Sequence, residues 1–477
     1  MEFNRNLTED PTCCIVFKRS KKDPDKIQVN YINIDETVQY ILRNFNIITV
    51  TETKNIMLYH NGIYIDYGEA FVRQMLETLF INFKRPDKIP LLDIKTTSEI
   101  IAKIRNLTMH PLSEFDSDIN IINMENGLYN LKDGKLEPHN PKYFSFIQVP
   151  VKYDPKAKCP AIQTVVTRVL KPEDVTKFYE LLGYLMYRSY EVQKAFIFYG
   201  PGQSGKSMML QIARTFVGDS NCSNVTFQQM AEDKFAVAEL HNKLLNEAGD
   251  LDSTAIKTTG TFKMLTGGSR DMMRVQRKFG QPFDMSNFAK IVFATNILSA
   301  VHDDTTGFSR RVEIFICDNK FTLNPEDEQL LKDFQEPEEY SGLFNLVLPY
   351  LKHLLKTKRY TNETSAEDMY ILYAAASNPT KAFLEFMVVE SPESVITKNL
   401  LYDKYAKFCI KSHGRPVHFS QFGKRLIETY KDTIHTGQIR TGPGGKTRVY
   451  TWVGIRVRED GEELENDDKG ILGIPST

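Results

Sequence analysis

The chain has 477 residues, 41% of them hydrophobic, and its 60 Lys and Arg residues are balanced by 61 Asp and Glu residues. This length is enough for several domains of roughly 100–200 residues each. A net charge of −1 excludes an overall electrostatic attraction to nucleic acid or to a membrane surface, so any site for a polyanion must be a local patch.

The cysteine spacing argues against a zinc site and against a disulfide framework. Apart from one adjacent pair, the cysteines lie far apart and show neither C-x-x-C nor Cys/His spacing. They are Cys13, Cys14, Cys159, Cys222, Cys317 and Cys409. No stretch approaches the ~20 apolar residues that span a bilayer, and the first residues contain no apolar signal segment. We therefore expect a soluble, intracellular protein with no membrane partner.

The first 120 residues show a mixed pattern of strands and helices. The Asn61-Gly62 pair within residues 56–65 predicts a β-hairpin, because both residues tolerate the left-handed backbone of a tight turn. Residues 70–83 have the spacing of an amphipathic helix. We assign residues 1–120 to an N-terminal α+β region whose role the sequence leaves open.

Residues 121–190 form the next predicted domain. Asn-Gly and Asp-Gly pairs punctuate the short apolar runs of residues 121–136, which predicts a second β-ribbon. Residues 161–187 return to the apolar spacing of a helix. An extended connector between the two is marked by Pro138, Pro141, Pro150, Pro155 and Pro160.

A phosphate-binding loop follows at the start of a predicted parallel α/β sheet in domain 191–360. The apolar strand Ala195–Tyr199 leads into a loop with the pattern G-x-x-x-x-G-K-[ST], and an apolar helix comes next. We expect the loop to bind ATP, with Lys206 at the β and γ phosphates and the Ser207 hydroxyl on Mg²⁺. The loop residues are Gly200, Pro201, Gly202, Gln203, Ser204, Gly205, Lys206 and Ser207.

A second strand candidate, residues 243–250, is expected to lie beside the loop-bearing strand. It ends at Asp250, which we expect to be the carboxylate that holds the metal ion. Sites of this kind usually carry two adjacent acids, but Gly249 occupies the first position here. Glu247 and Asp252 both remain candidates for the partner acid.

A third strand candidate, residues 290–296, ends at Asn296, an amide that can orient the attacking water beside the γ phosphate. A plain strand-terminating Asn is the alternative. Further along, Arg310 and Arg311 precede an apolar run of β type. Either arginine is a candidate finger that enters the nucleotide site of a neighbouring subunit.

Between these strands, residues 262–283 predict a hairpin with a basic tip. The Gly267-Gly268 pair is followed by alternating residue types that include Arg274, Arg277, Lys278 and Phe279. Cations can follow DNA phosphates and the phenyl ring can stack on a base or sugar. An exposed basic turn without DNA contacts is the alternative.

The C-terminal part predicts a small winged-helix domain at residues 379–458. A helix at 343–355 is expected to pack against the sheet, and helices at 380–389, 397–412 and 420–429 precede a β-rich end. Lys and Arg outnumber acids fourteen to six in residues 379–458, and the third helix exposes Lys424 and Arg425 to a DNA groove, with 440–448 as the wing. A subunit-contact module is the alternative. Residues 459–477 form an acidic tail that we expect to be disordered.

The order of these motifs resembles the helicase half of poxvirus and of phage or plasmid primase-helicases, members of helicase superfamily 3. The likeness extends over about residues 121–455. It is carried by residues 126–129 with 150–160, by the loop Gly200 to Ser207, by Asp250, and by residues 263–268, 294–296, 308–311 and 401–422. Gly249 departs from the paired-acid motif of the family.

The resemblance implies an α/β fold with an AAA+-like P-loop ATPase core, an N-terminal α+β region and a C-terminal winged helix. It implies a homo-oligomeric ring, usually hexameric, that encircles DNA and moves along one strand, in the cytoplasm of a host cell or in a virus factory. The first 120 residues show no recognisable primase centre, so a primase or polymerase is expected on another chain. The expected DNA-binding residues are Lys263, Arg274, Arg277, Lys278, Phe279, Lys424 and Arg425.

Three other functions are compatible with the sequence. A DNA-binding P-loop ATPase can melt an origin or package DNA without processive unwinding, and a winged-helix regulator can use ATP only to control assembly. A P-loop kinase is less consistent, because the sequence shows neither an acceptor site nor a lid. The predicted function is an ATP-dependent replicative DNA helicase of a virus, phage or plasmid, with Lys206, Glu247, Asp250, Asn296, Arg310 and Arg311 as candidate catalytic residues.

Overall fold

The computed structural model describes most of the chain. The described residues are 11–21, 23, 25–86, 88–249, 258–268, 271–299, 301, 306–319, 325–411, 415–441 and 447–458. Asp250, Asp252 and the acidic segment 459–477 lie outside them. The chain divides into two compact units, Met1–Tyr153 and Asp154–Thr477. Among the described helices, none combines the length and the apolar character that a membrane crossing requires.

The N-terminal unit combines helices with small sheets. Its described helices are α1 (Ile34–Asn44), α2 (Gly68–Phe80) and α3 (Ile94–Leu107). An antiparallel ribbon consists of β1 (Ile15–Arg19) and β2 (Ile27–Ile32). A sheet in the order β5-β4-β3-β6 consists of β3 (Ile47–Val50), β4 (Ile56–His60), β5 (Ile63–Ile65) and β6 (Met109–His110). A third sheet, in chain order, consists of β7 (Ile121–Met124), β8 (Gly127–Asn130) and β9 (Leu136–Glu137).

The turn between β4 and β5 confirms the hairpin predicted from the Asn-Gly pair. Asn61 has φ 46° and Gly62 has φ 95°, so both central residues are left-handed. This is the backbone of a tight turn whose twist matches that of the two strands. Local turn chemistry therefore determined this hairpin.

The first compact unit extends past the predicted boundary at residue 120 to Tyr153, so it includes the ribbon β7–β9. The buried Asn123 side chain donates a 2.8 Å hydrogen bond to the carbonyl of Gly62. Tyr64 donates through its hydroxyl to the carbonyl of Pro141 at 2.7 Å. A buried amide is costly to leave unpaired, so these long-range bonds keep residues 121–153 with the first unit. The predicted domain 121–190 is thus divided between the two units.

In the second unit, the helix predicted over residues 161–187 is two helices. They are α4 (Pro160–Val169) and α5 (Pro172–Leu185). Leu170 ends the first with an extended backbone, φ −96° and ψ 153°. Pro172 starts the second, and its ring disfavours a helical backbone at the residue before it. The end of α4 lies beside Gly205 of the predicted phosphate-binding loop.

A five-stranded parallel sheet forms the centre of the second unit. Its strands are β10 (Ala195–Tyr199), β11 (Cys222–Ser223), β12 (Leu245–Ala248), β15 (Lys290–Thr295) and β16 (Val312–Ile316). The order is β11-β12-β15-β10-β16, and every neighbouring pair is parallel. The expectation that residues 243–250 lie beside β10 is wrong. Both edges of β10 are bonded to β15 and β16, so β12 lies one strand further out.

A separate antiparallel hairpin comes from the segment between β12 and β15. It consists of β13 (Met272–Gln276) and β14 (Pro282–Ser286), as the sequence predicted. Val275 and Met285 are buried in the main core of the unit. The base of the hairpin is therefore anchored to the sheet domain.

Helices cover both faces of the sheet. After α4 and α5, the described helices of this part of the chain are α6 (Lys206–Val217), α7 (Phe227–Glu232), α8 (Gly260–Leu265), α9 (Thr306–Ser309), α10 (Pro325–Asp333), α11 (Pro337–Thr357) and α12 (Ala366–Ser377). Phe178 of α5 contacts Phe198 and Phe315 on one face, with ring centroids 5.9 and 6.1 Å apart. On the other face, Phe227 of α7 is buried in the core that contains Ile197, the neighbour of Phe198 in β10. Successive strand residues thus supply both cores, as strand alternation requires.

The helix predicted at 343–355 forms within α11, but it packs on α5 as a second helical layer. A Cβ atom at Gly183 of α5 would lie 2.9 Å from the Cβ atom of Leu351 in α11. The small residue therefore allows the two helices to approach closely. Because α5 already covers the sheet, α11 stabilises the sheet through α5.

The C-terminal part of the second unit alternates helices with three strands. Its elements are α13 (Pro379–Phe386), β17 (Val388–Thr397), α14 (Lys398–Lys411), α15 (Phe419–Thr429), β18 (His435–Thr441) and β19 (Thr447–Val457). The strands form an antiparallel sheet in the order β17-β19-β18. The three predicted helices are confirmed, but the sequence analysis missed β17. The helix predicted to reach residue 389 ends at Phe386, because Val388 pairs with Val457 in the sheet.

Candidate functional site

The predicted phosphate-binding loop, residues 200–207, begins between two backbone segments at the carboxyl edge of the sheet. The amide of Gly200 donates to the carbonyl of Thr295 at 3.4 Å, and the amide of Cys317 donates to the carbonyl of Tyr199 at 2.8 Å. A Cβ atom at position 200 would lie 2.1 Å from the carbonyl oxygen of Cys317. No side chain fits there, so the first glycine of the motif is a requirement of the sheet.

The last glycine of the loop is required for a different reason. Gly205 has φ 85°, and a Cβ atom there would lie 2.4 Å from a methyl group of Val169 at the end of α4. Gln203 is also left-handed, with φ 62°. By contrast, nothing lies within 4 Å of a Cβ atom built at Gly202. The loop therefore has two constrained glycines and one unconstrained one.

Lys206 and Ser207 lie on the first turn of α6. The Lys206 ammonium donates to the carbonyls of Gly200 at 2.9 Å and Pro201 at 2.7 Å, inside the curve of the loop. Ser207 is exposed. The first N–H groups of α6 have no acceptor within the helix and carry its partial positive charge. A buried ammonium, a helix N-terminus and an exposed hydroxyl together suit a phosphate chain with its metal ion.

A phosphate chain bound in this loop would bring a metal ion with it, so the metal ligands among the described residues matter. Among them, no group of three or more His, Cys, Asp or Glu side chains is placed to hold a metal ion. Mg²⁺ at a nucleotide needs no such group, because phosphate oxygens and water supply most of its ligands. Ser207 would hold it on the protein side, and Asp250 lies outside the described residues.

Asn296 lies at the same edge as the loop. It follows β15, in which Thr295 is paired with Tyr199 of β10, and its side chain is exposed. The residue is therefore one strand away from Gly200, at the end from which the loop departs. The structure brings Lys206, Ser207 and Asn296 to one edge, as the sequence predicted.

Glu247 does not lie with them. Its carboxylate is buried and accepts a 2.9 Å hydrogen bond from Arg214 of α6, which also pairs with Asp219. Arg214 is eight residues beyond Lys206, about 12 Å along the helix. Burial raises the pKa of the Glu247 carboxyl, and the Arg214 guanidinium partly offsets that rise. The structure thus places Glu247, one of the two candidates that the sequence left open as the partner of Asp250, in an ion pair with α6.

The paired arginines lie at the opposite, amino edge of the sheet. The carbonyl of Arg311 accepts from the amide of Ala195, the first residue of β10, at 2.7 Å. The five residues of β10 put that edge about 16 Å from the loop, at roughly 3.3 Å per residue. Neither arginine is therefore next to the loop of its own chain.

The structure distinguishes the two arginines, which the sequence left open. Arg311 is buried and donates to the carbonyl of Gly307 at 2.7 Å, so it braces its own turn. Arg310 is exposed, and its guanidinium donates to the side-chain oxygen of Gln193 at 3.2 Å. Arg310 is the one that a second molecule can reach.

The tip of the β13–β14 hairpin carries a cation and an exposed ring. Phe279 is 97% exposed and left-handed, with φ 64°. The Lys278 ammonium lies 5.5 Å from the centroid of this ring. A non-glycine residue in this backbone region costs roughly 1–2 kcal/mol, and exposure of a phenyl ring to water adds to that cost. Both features favour a surface that binds a ligand.

The other basic residues of the hairpin interact with their own chain. Arg274 is 3.6 Å from Asp284 on the paired strand. The Arg277 guanidinium lies 5.5 Å from the Phe283 ring centroid and 3.4 Å from Nδ1 of His241. Burial, followed by the nearby charge of Arg277, lowers the pKa of His241 to about 4, so the ring is neutral at pH 7. Lys263 lies in the last turn of α8, before the hairpin.

The predicted DNA-binding residues of the C-terminal part are both exposed on α15. Arg425 lines a cleft of 920 Å³ beside α13, whereas Lys424 is not among the lining residues. The charged side chains of this cleft are mixed in sign: Lys381, Glu385, Glu390, Arg425, Glu428 and Arg458. The cleft therefore lacks the uniformly positive lining of a phosphate site.

The sequence analysis missed Gln193 and His241. Each contacts an arginine that is distant in the sequence: Gln193 contacts Arg310, and His241 contacts Arg277. Neither residue belongs to a motif. The position of Gln193 just before β10 was the only signal available.

Two segments of the chain match family models. Residues 69–171 match the model described as "D5 N terminal like". Residues 198–311 match the "Family of unknown function (DUF5906)". The second match begins within β10 and ends at Arg311, so it contains Lys206, Asp250, Asn296 and the hairpin.

Solved structures of one protein show a distant overall similarity. The first is "The A form apo structure of NrS-1 C terminal region-CTR", with 13% sequence identity and a TM-score of 0.44 over 88% of this chain and 98% of that chain. The second, "The apo structure of NrS-1 C terminal region (305-718)", has 12% identity and a TM-score of 0.43 over the same shares.

The two classes of glycine in the loop generate a prediction about stability. We expect Gly205→Ala to lower the free energy of unfolding by about 2–4 kcal/mol, because it adds backbone strain and a clash with Val169. Gly202→Ala is the matched control and changes it by less than about 0.5 kcal/mol. Urea denaturation followed by circular dichroism, without nucleotide, measures both. Equal midpoints for the two variants would contradict the described loop.

Proposed function

We propose that the chain is an ATP-dependent motor on DNA, a replicative helicase of the AAA+-like superfamily 3 type. One observation carries the proposal: the sheet holds Lys206 and Asn296 at one edge and the exposed Arg310 at the other. Such a molecule can complete an ATP site only together with a second copy. The match of residues 69–171 to the "D5 N terminal like" model lends support, since it lies directly before the loop-bearing domain.

The chemistry at the carboxyl edge is ATP hydrolysis with Mg²⁺. Lys206 neutralises charge on the β and γ phosphates, and the loop amides and the N-terminus of α6 bind the remaining oxygens. Ser207 and Asp250 would hold the metal ion, which would supply positive charge to stabilise the phosphoryl group during its transfer. Asn296 orients the attacking water through its side-chain amide. Glu247 has no part in this step.

The oligomer that follows is a closed ring, for which we propose six copies. A site at one edge of the subunit and a finger at the other make a head-to-tail interface, which closes into a ring when the rotation permits. Arg310 enters the neighbour's site and stabilises transition-state charge. Arg311 holds the turn that presents it.

DNA is the proposed substrate of the hairpin. Lys278 contacts a phosphate and Phe279 stacks on a base or sugar, since both are exposed at the tip. Arg277 sets the position of the tip through His241 and Phe283. Arg274 acts mainly within the hairpin, through Asp284.

We also propose that residues 379–458 are a winged-helix domain that binds DNA. The order helix, strand, helix, helix, strand, strand and the central position of β19 both support this. Lys424 on the exposed face of α15 is the proposed groove contact. The wing at 440–448 lies largely outside the described residues, which omit 442–446.

A strand-displacement assay on 3′-tailed and 5′-tailed DNA forks tests the helicase proposal. We expect the wild type to unwind one fork type in an ATP-dependent way, and Lys206→Ala to abolish both hydrolysis and unwinding. Glu247→Gln is the matched control, with hydrolysis within about threefold of wild type, because its carboxylate serves only Arg214. Hydrolysis and DNA binding without unwinding of either fork would instead indicate origin melting or packaging.

Complementation between subunits tests the arginine. Arg310→Ala should bind ATP normally but hydrolyse it about a thousandfold more slowly, the scale of an arginine finger. Mixing Arg310→Ala with Lys206→Ala subunits should restore part of the activity, because each supplies the half-site that the other lacks. Turnover at the wild-type rate by Arg310→Ala alone would refute the trans assignment.

The hairpin tip generates a prediction about DNA binding. Phe279→Ala should weaken single-stranded DNA binding by about 1–3 kcal/mol, the value of one stacked base, and Lys278→Ala should reduce unwinding without changing DNA-independent hydrolysis. Lys234→Ala is the matched control, because Lys234 lies 5.2 Å from the Phe235 ring in the same way but outside the hairpin. If the control and the tip variants bound DNA equally well, the hairpin would not be the contact.

A further inference from the structure

Gln193 makes two hydrogen bonds that join distant parts of the second unit. It lies just before β10 and is half-buried. Its side-chain oxygen accepts from the Arg310 guanidinium at 3.2 Å, and its side-chain nitrogen donates to the carbonyl of Gly267. One amide group thus connects the arginine at the amino edge of the sheet with the chain that leads into the hairpin.

The orientation of this amide follows from its partners. A guanidinium offers only donors and a carbonyl offers only an acceptor. The oxygen of Gln193 must therefore be at Arg310 and the nitrogen at Gly267, since the flipped amide would satisfy neither. The same amide group therefore accepts one bond, from Arg310, and donates the other, to Gly267.

Gly267 lies at the foot of the hairpin. Its own amide donates to the carbonyl of Met264 at 3.1 Å, which closes the end of α8. Gly268 follows with φ 100°, and a Cβ atom there would lie 3.4 Å from the carbonyl oxygen of Tyr190 and 3.7 Å from the Gln193 nitrogen. The chain therefore passes closely over the segment 190–193 before β13 begins at Met272.

We propose that Gln193 is a positioning residue that couples the arginine of the ATP site to the DNA hairpin. The inference rests on the proposed function, because it gives Arg310 its role in the neighbouring subunit. Arg310 held by Gln193 is drawn back toward its own chain. A phosphate group is a stronger hydrogen-bond acceptor than a neutral amide oxygen. When ATP is bound in the neighbouring subunit, Arg310 therefore leaves Gln193 and binds the phosphate.

Release of Arg310 from Gln193 changes how the foot of the hairpin is constrained. Without its guanidinium partner, the Gln193 side chain keeps a single bond, to Gly267, and gains rotational freedom. The foot of the hairpin is then less constrained while the neighbouring subunit holds ATP. It is fixed again when the phosphate leaves and Arg310 returns to Gln193. The nucleotide bound to one subunit thereby changes how firmly the hairpin of the adjacent subunit is held.

Two substitutions of Gln193 are expected to act in opposite directions. Gln193→Ala removes both bonds, so basal hydrolysis stays within about twofold of wild type, while stimulation of hydrolysis by single-stranded DNA falls about tenfold, the scale of one hydrogen bond to a charged group. Gln193→Glu places a carboxylate on Arg310 and withdraws the donor from Gly267. Its basal hydrolysis should fall about tenfold, because the finger is held back by an ion pair.

The experiment measures hydrolysis with and without single-stranded DNA for the full-length chain and its variants. Gln163→Ala, at an exposed glutamine of α4, is the matched control and should match wild type in both readings. Circular dichroism melting of each variant excludes a folding defect. Wild-type DNA stimulation in Gln193→Ala, or unchanged basal hydrolysis in Gln193→Glu, would overturn the coupling.

Arg310→Ala separates this inference from the proposed function. If Arg310→Ala hydrolyses ATP at the wild-type rate, the trans arginine itself fails. If Arg310→Ala is inactive while Gln193→Ala retains full DNA stimulation, the motor stands and only the link through Gln193 is refuted.

Discussion

The geometry of the candidate nucleotide site, at the loop of residues 200–207, depends on the position of β10 between β15 and β16. Because both hydrogen-bonding edges of this strand are occupied, the loop that leaves it starts between the backbone of Thr295 and that of Cys317. That constraint excludes a side chain at Gly200 and brings Asn296 next to the loop. The same pairing places β12 one strand further out, beside β15.

A buried cluster of charges fixes the amino edge of the same strands. Glu313 of β16 is fully buried and pairs with Lys177 at 3.1 Å and Lys194 at 2.9 Å, directly before β10. Removing one partner from such a cluster typically costs about 3–5 kcal/mol, because the remaining charges lose their compensation in a medium of low polarity. The cluster therefore holds the arginine turn at a set distance from the loop.

The hairpin carries features that folding alone would disfavour. Phe279 is exposed in a left-handed backbone, and Lys278 lies over its ring. Arg277, in contrast, is satisfied by Phe283 and by His241, whose neutral ring can accept a hydrogen bond. The groups that face solvent, Lys278 and Phe279, thus lie at the tip of the hairpin. Gln193 connects the foot of the same hairpin to Arg310.

The sequence by itself determined the elements whose signals are local. The glycine-rich loop between a strand and a helix, the Asn61-Gly62 turn and the basic hairpin all follow from residues that are neighbours in the chain. Only the tertiary structure decided that Glu247 pairs with Arg214 and that Arg310, not Arg311, is exposed. It also decided that residues 121–153 join the first unit and that Gln193 bonds to both Arg310 and Gly267. These outcomes depend on strand order and on burial, which bring together groups that in one case lie more than a hundred residues apart in the chain. No local sequence pattern encodes which partner a buried charge will meet.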